Sequence, residues 1–424
     1  MTWFGSVPAH WSTPPVYARY EVQLGKMLDE RQITKRFLAP YLRNTDVQWD
    51  GINVYDLPEM DFEMSEQKLY GLRPGDILMC EGGEIGRCAI WDSDRRCFYQ
   101  KALHRLRPTT DKDDPRYFVL VMRAAVEAGL FSSRASAATI QHLPAEKLRV
   151  VRYPAPPIEE QRAIVGCVSR QTARLDALVA AKQCLINLLA EKRKAIIATA
   201  VTRGINPKVK LRQSGLPWLG EIPAHWRSTR VGKLFRQSKI LGYPDLTVLS
   251  VYREFGVIER ASRDDNANRV PDDLSKYQLV EIGDLVINKM KAWQGSLGVS
   301  DFRGITSPDY VVFRPVHSEE PEFLHLMLRM PQLTTVYLSI SNGIRINQWR
   351  IEPERFANVE VFLPPFDEQR AIAEHIDRET AKLDAVRAAT ERTIALLNER
   401  RSALIAAAVT GQIDTTNNQN ASAS

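Results

Sequence analysis

Pro156 to Ile205 reads PPIEEQRAIVGCVSRQTARLDALVAAKQCLINLLAEKRKAIIATAVTRGI, and Pro364 to Ile413 reads PPFDEQRAIAEHIDRETAKLDAVRAATERTIALLNERRSALIAAAVTGQI. The two stretches align without a gap, and about half of their positions are identical. An internal repeat sets the architecture, so everything else is read relative to it. Each copy opens with Pro-Pro and carboxylates, Glu159 and Glu160 in one and Asp367 and Glu368 in the other. Proline fits a first helical turn, where its missing N–H would be unpaired anyway, and carboxylates suit the positive end of the helix dipole. Gly166 is the one weak interior point before Gly204 and Gly411. At about 1.5 Å per residue each helix is expected to run roughly 60 Å.

Apolar residues recur at three-four spacing, as Val168, Leu175, Leu178, Leu185, Leu189 and Ile196 in the first copy. The second copy gives Ile372, Ile376, Leu383, Val386, Leu397 and Leu404. Such seams, interrupted by Lys182, Thr390 and Arg400, predict that the helices pair as an antiparallel coiled coil.

A shorter repeat precedes each block. Trp3, Gly5 and Pro8-Ala9-His10-Trp11 recur as Trp218, Gly220 and Pro223-Ala224-His225-Trp226. The chain is thus two tandem halves related by a pseudo-two-fold repeat. Expected boundaries are a first α/β domain at 1–155, a long helix at 156–205, a linker at 206–222, a second α/β domain at 223–363, a long helix at 364–413, and a disordered polar tail at 414–424. The fold class is α+β.

The two blocks diverge but keep landmarks. Leu72 to Leu78 matches Val280 to Val286 around Gly75-Asp76 and Gly283-Asp284, a turn feeding a strand. Arg107-Pro108 matches Arg314-Pro315 at the end of a strand-like run. Helices are expected at Tyr117–Leu130 and Glu322–Met330, and strands at Leu148–Tyr153 and Asn358–Leu363. His10, His225, Asp76 and Asp284 read as structural residues, and Cys80, Cys88 and Cys97 as core.

A net charge of +6 permits a polyanionic partner without proving one. Five scattered cysteines with no CxxC pair argue against a zinc site or disulfide framework and fit a reducing cytoplasm. No apolar run approaches the roughly 18 residues that span a bilayer, and the N-terminal sequence has no signal-peptide pattern. There is no GxxxxGK[ST] phosphate loop, no Asn-Pro-Pro-aromatic tetrad, and no Gly-x-Gly loop after a strand. The chain is therefore expected not to be an enzyme.

Donor-rich clusters near loop landmarks are candidate contacts to nucleic acid. In the first block they are Arg87, Gln100, Lys101, His104, Arg105, Arg134 and Gln141; in the second, Lys289, Lys291, Trp293, Gln294, Arg345, Asn347, Gln348 and Arg350. Arg and Lys can bond guanine edges and Asn and Gln suit adenine, while all can hold phosphates. Lys289 to Gly295 is the leading candidate, combining cations, an aromatic ring and a glycine.

These features together resemble the specificity subunit of type I restriction-modification enzymes. Its carriers are Pro156-Pro157-Ile158-Glu159-Glu160-Gln161-Arg162 and Pro364-Pro365-Phe366-Asp367-Glu368-Gln369-Arg370, each followed by a helix containing Leu-Asp-Ala at 175–177 or 383–385. Leu189-Ala190-Glu191-Lys192-Arg193 and Leu397-Asn398-Glu399-Arg400-Arg401 also match. The resemblance implies two target recognition domains, each reading half of a split site in double-stranded DNA, with the helices as spacers. It implies two methyltransferase subunits and two restriction/translocase subunits as partners. S-adenosylmethionine, ATP and Mg would belong to those partners, none to this chain. The alternative is a coiled-coil scaffold without sequence-specific DNA binding.

Overall fold

The computed structural model describes residues 3–28, 34–49, 51–131, 142–263, 270–343 and 349–413. Arg134, Gln141, Arg345, Asn347, Gln348 and the 414–424 tail lie outside the described residues. The chain forms two compact units, Met1–Gln183 with Glu391–Ser424, and Cys184–Thr390.

In the first unit, β1 (Tyr20–Leu24), β2 (Ile77–Cys80), β3 (Cys88–Ile90) and β4 (Leu103–Pro108) form one antiparallel sheet in the order β1-β4-β2-β3. A smaller sheet sets Leu38–Leu42 between Glu59–Asp61 and Phe98–Tyr99. Helix α1 (Pro115–Glu127) begins with proline at its first turn, capped by the Asp114 carboxylate, which accepts from the Arg116 N–H at 2.9 Å. Its buried Tyr117, Phe118, Val121 and Met122 share a core with Tyr20, Val22, Ile77 and Leu106. The long helix α2 spans Ile158–Arg203.

The second unit repeats the sheet. Strands β5 (Phe235–Ser238), β6 (Leu285–Asn288), β7 (Leu297–Val299) and β8 (Tyr310–Pro315) lie in the order β5-β8-β6-β7. Helices α3 (Pro321–Leu328) and α4 (Pro331–Ser339) follow, and α5 (Phe366–Val409) is the second long helix. Here Glu360–Leu363 pairs with Arg227–Arg230, within the strand expected at Asn358–Leu363.

The repeated landmarks have a structural cause. Arg107 donates to both carboxylate oxygens of buried Asp76, at 2.7 and 2.6 Å. Asp284 and Arg314 are the equivalent pair in the second unit, at a looser 3.5 Å. Each pair ties the turn before β2 or β6 to the end of the neighbouring strand. The hydrogen bond to Asp76 raises the Arg107 pKa, whereas burial pushes the Asp284 carboxyl up against a more weakly placed cation.

Each long helix contributes to both units. In the first, Ile164, Val165 and Val168 of α2 share a core with Ile405, Ala408 and Val409 of α5, and the Arg401 Nε donates to Asp176 at 3.0 Å. Advancing along α2 there means retreating along α5, so the two segments run antiparallel. In the second unit, Ala200 and Val201 pack with Ile372 and Ile376, and Arg193 pairs with Asp384 at 2.5 Å. Arg193 and Asp176 are the repeat equivalents of Arg401 and Asp384. The shared Leu-Asp-Ala and Glu-x-Arg motifs thus supply the two sides of two equivalent ion pairs, one in each unit.

Four expectations differ from the structure. Leu148–Tyr153 is not a strand: Pro144 opens a short helix, Ala145–Arg149, that buries only Leu148 and leaves Val150 exposed. The helix expected at Tyr117–Leu130 starts and ends earlier, because Asp114 caps it and Pro115 begins it. The one expected at Glu322–Met330 runs Pro321–Leu328 and ends two residues earlier, and Pro331 begins a separate helix. Leu178 and Val386 are not seam residues but are 50% and 46% exposed, while Thr172 and Thr380 are buried instead. Among the described residues, no helix is long and apolar enough to cross a membrane.

Candidate nucleic-acid interface

The start of each long helix is fixed by the residues that repeat most strictly. Gln161 is fully buried; its Oε1 accepts from the Asp114 N–H at 2.9 Å, and its Nε2 donates to the Pro156 carbonyl at 2.9 Å. Gln369 does the same, accepting from the Glu320 N–H at 3.0 Å and donating to the Pro364 carbonyl at 3.0 Å. Asp114 and Glu320 cap α1 and α3, so one amide locks the long helix to the helix of each sheet. A buried amide must satisfy both its donor and its acceptor, which a Pro-Pro turn and an N-cap supply together.

Glu160 receives the Pro-Ala-His-Trp element, contacting the His10 Nε2 at 2.9 Å and accepting from the Trp11 Nε1 at 3.1 Å. Glu368 contacts His225 and Trp226 at 2.7 and 3.3 Å. Both histidines are therefore held as structural residues.

On this frame sit two hairpin loops at equivalent places. Residues 81–87 join β2 to β3, closed by Cys80 N–H to the Arg87 carbonyl at 2.8 Å. Residues 289–296 join β6 to β7, closed by Asn288 N–H to the Ser296 carbonyl at 3.1 Å. The same later segment meets each loop: Leu143 N–H donates to the Glu81 carbonyl at 2.9 Å and Ile351 N–H to the Lys289 carbonyl at 3.1 Å. The Asp–Arg pairs brace the opposite end of the strands that carry these loops.

In the second unit this arrangement gathers Lys289, Lys291, Trp293, Gln294 and Arg350. Lys291 and Arg350 are exposed, and Lys289, Trp293 and Gln294 are half-buried. The Trp293 Nε1 donates to the Met290 carbonyl at 3.0 Å, and its ring meets Trp349 with centroids 5.5 Å apart. The Arg350 Nε reaches the Met290 sulfur at 3.0 Å, and Gly295 adopts φ 90°, a left-handed turn that glycine takes without strain.

In the first unit Arg87 lies on the loop, donating to the Glu84 carboxylate at 2.8 Å and the Asn44 carbonyl at 3.0 Å. Exposed Lys101 and half-buried Gln100 lie on an adjoining turn, joined to the loop by Glu81 N–H to the Ala102 carbonyl at 3.0 Å. His104 and Arg105 are not on this surface. Both are buried in interior strand β4. His104 contacts the Leu143 carbonyl at 2.7 Å, and burial lowers its pKa. Arg105 donates to the Leu69 carbonyl at 2.8 Å.

Sequence reasoning missed Trp49, Asn44 and Trp349. Trp349 is flanked by named candidates and was legible as an aromatic among cations. Trp49 and Asn44 are far in sequence from the hairpin, and no local pattern marks them.

Behind the second loop, His325 contacts the Val299 carbonyl through Nδ1 at 3.1 Å and the Arg329 Nη1 through Nε2 at 2.6 Å. Burial, reinforced by the Arg329 charge, lowers its pKa to about 4, so it is a neutral strut.

A family model described as "Type I restriction modification DNA specificity domain" matches residues 22–186. The EcoBI specificity subunit of a type I restriction enzyme from Escherichia coli is 21% identical over 370 residues, covering 81% of this chain and 75% of that one. The StySPI specificity subunit from Salmonella potsdam is 20% identical over 437 residues, covering 96% of this chain and 90% of the other. A chain solved in work on complex assembly and conformational transition of the type I R-M system aligns over 96% of this chain and all 100% of its own, with TM-score 0.63 and 18% identity. That last likeness is one of fold. With the duplicated Pro-Pro-x-x-Glu-Gln-Arg helices, these matches make the chain similar to type I restriction-modification specificity subunits.

Proposed function

We propose that the chain directs a type I restriction-modification complex to its DNA. Each unit reads one half of a bipartite, asymmetric site, and the paired helices act as the spacer between readers. Like frames bearing dissimilar loops support this most directly. Two-fold related protein elements meet two-fold related half-sites, and unlike readers on like frames call for unlike half-sites.

Catalysis belongs to partners on this reading. Adenine methylation needs the base extruded from the stack, and a methyltransferase subunit supplies that pocket together with S-adenosylmethionine. ATP and Mg go with a translocating nuclease subunit. Leu178 and Leu188 on α2, and their repeat equivalents Val386 and Leu396 on α5, are exposed apolar positions at 50%, 56%, 46% and 64%. Exposed apolar positions repeated on the two helices suit two copies of one methyltransferase subunit.

The cations of the second loop would hold phosphates while neighbouring groups meet bases. Replacing Lys289 and Lys291 by alanine is expected to weaken binding of the assembled complex to its target. The slope of log K against log salt should become shallower by about 1 to 2, since each phosphate contact contributes about 0.9. Titrations at several salt concentrations measure this, and an unchanged slope would remove the loop from the DNA-binding surface.

A further inference from the structure

The two hairpin loops occupy equivalent places on equivalent sheets with opposite chemistry. Residues 289–296 read KMKAWQGS and carry two cations; residues 81–87 read EGGEIGR and carry two carboxylates and one cation. A carboxylate on a surface facing DNA is repelled by phosphate. It is favourable there only if it meets a hydrogen-bond donor, and in the major groove the donors are the exocyclic amino groups of cytosine and adenine.

Glu84 is built for that contact. Its Oε1 accepts from the Trp49 Nε1 at 2.8 Å, and its Oε2 accepts from the Arg87 Nη1 at 2.8 Å. Arg87 is anchored in turn on the Asn44 carbonyl at 3.0 Å, and the Arg123 guanidinium lies 5.5 Å from the Trp49 ring centroid. The carboxylate is therefore held in one orientation with its charge compensated before any ligand arrives. Its side chain is still 50% exposed. Two hydrogen bonds leave acceptor capacity on both oxygens, because a carboxylate offers about four lone-pair sites. Ordering already present in the free protein is not lost again on binding.

On the specificity-subunit reading above, we propose that Glu84 is a base-reading residue of the first unit, accepting a hydrogen bond from the N4 amino group of a cytosine in the major groove. Trp49 and Arg87 are its positioning residues. Unit identity is then written in the sign of the hairpin: acceptors in the first unit, donors in the second.

The test uses the full chain assembled with its methylating subunits, as wild type and as Glu84→Gln, Glu84→Ala and Trp49→Phe, with methylated sites mapped across a genome. In the wild-type motif, one half should contain a position read as cytosine. Glu84→Ala should lose discrimination at that position by about tenfold or more, the scale of one side-chain–base pairing. Glu84→Gln should shift it toward adenine, whose N6 and N7 suit an amide. Trp49→Phe keeps the ring but removes the N–H, and should weaken the same position partially. The other half-site should be unchanged in all three. An unchanged motif in Glu84→Gln and Glu84→Ala, with the complex assembled, would overturn the assignment and leave Glu84 as a brace for the hairpin. Loss of specificity spread over both halves would overturn it too. A wild-type complex that yields no split motif would overturn the underlying reading and this proposal with it.

Discussion

Four residues inserted beside Leu188, matched by four in the facing segment of α5 beside Ala389, should widen the unread gap of the target by about two base pairs and leave both half-sites intact. The facing position follows from the Arg193–Asp384 pair in the same unit. Four residues lengthen a helix by about 6 Å, close to two base pairs at about 3.4 Å each. A four-residue insertion is also the stutter that a paired helix absorbs by slight local unwinding. Exposed Asn187 and Leu188 leave room for it, since no residue from 185 to 190 is buried. Mapping methylated sites of the variant reads the gap directly. A gap that stays the same would separate spacing from the helices.

Removing the Arg107 side chain should destabilise the first unit by about 3 to 5 kcal/mol, the scale for a buried ion pair that loses one partner. Asp76 would keep its bond from the Arg73 N–H but lose both charge-assisted bonds from the guanidinium. The equivalent Arg314→Ala should cost about 1 kcal/mol or less, because Arg314 is more exposed and its contact is 3.5 Å. Thermal unfolding of the two variants tests the difference. For a unit of this size, a few kcal/mol corresponds to a shift in Tm on the order of 10 °C. Equal shifts would mean that the two pairs brace their sheets alike, against the geometry.

Much of this architecture was legible because repetition does not depend on propensity. The Pro-Pro-x-x-Glu-Gln-Arg copies marked the helix starts, and the Gly-Asp and Arg-Pro landmarks marked equivalent strands. That Asp76 pairs with Arg107 was not legible, since an alignment shows equivalence between halves and not contact within one. His104 and Arg105 show the same limit. Polar residues near a loop look exposed in sequence, and only the strand order β1-β4-β2-β3 places both faces of β4 inside. The run around Leu148 alternates like a strand, yet Pro144 and one buried leucine make it a helical turn. Loop chemistry was legible as composition in 289–295. Glu84 carried no such signal, because what fixes it is Trp49, brought beside it by the fold.

On the proposed function, two unlike readers share one repeated frame. Co-expressing the chain with its cognate methylating subunits, in a host without that modification, and mapping methylated adenines genome-wide tests it most directly. A motif of two different short halves separated by a fixed unread gap is expected. A palindromic or uninterrupted motif would contradict it.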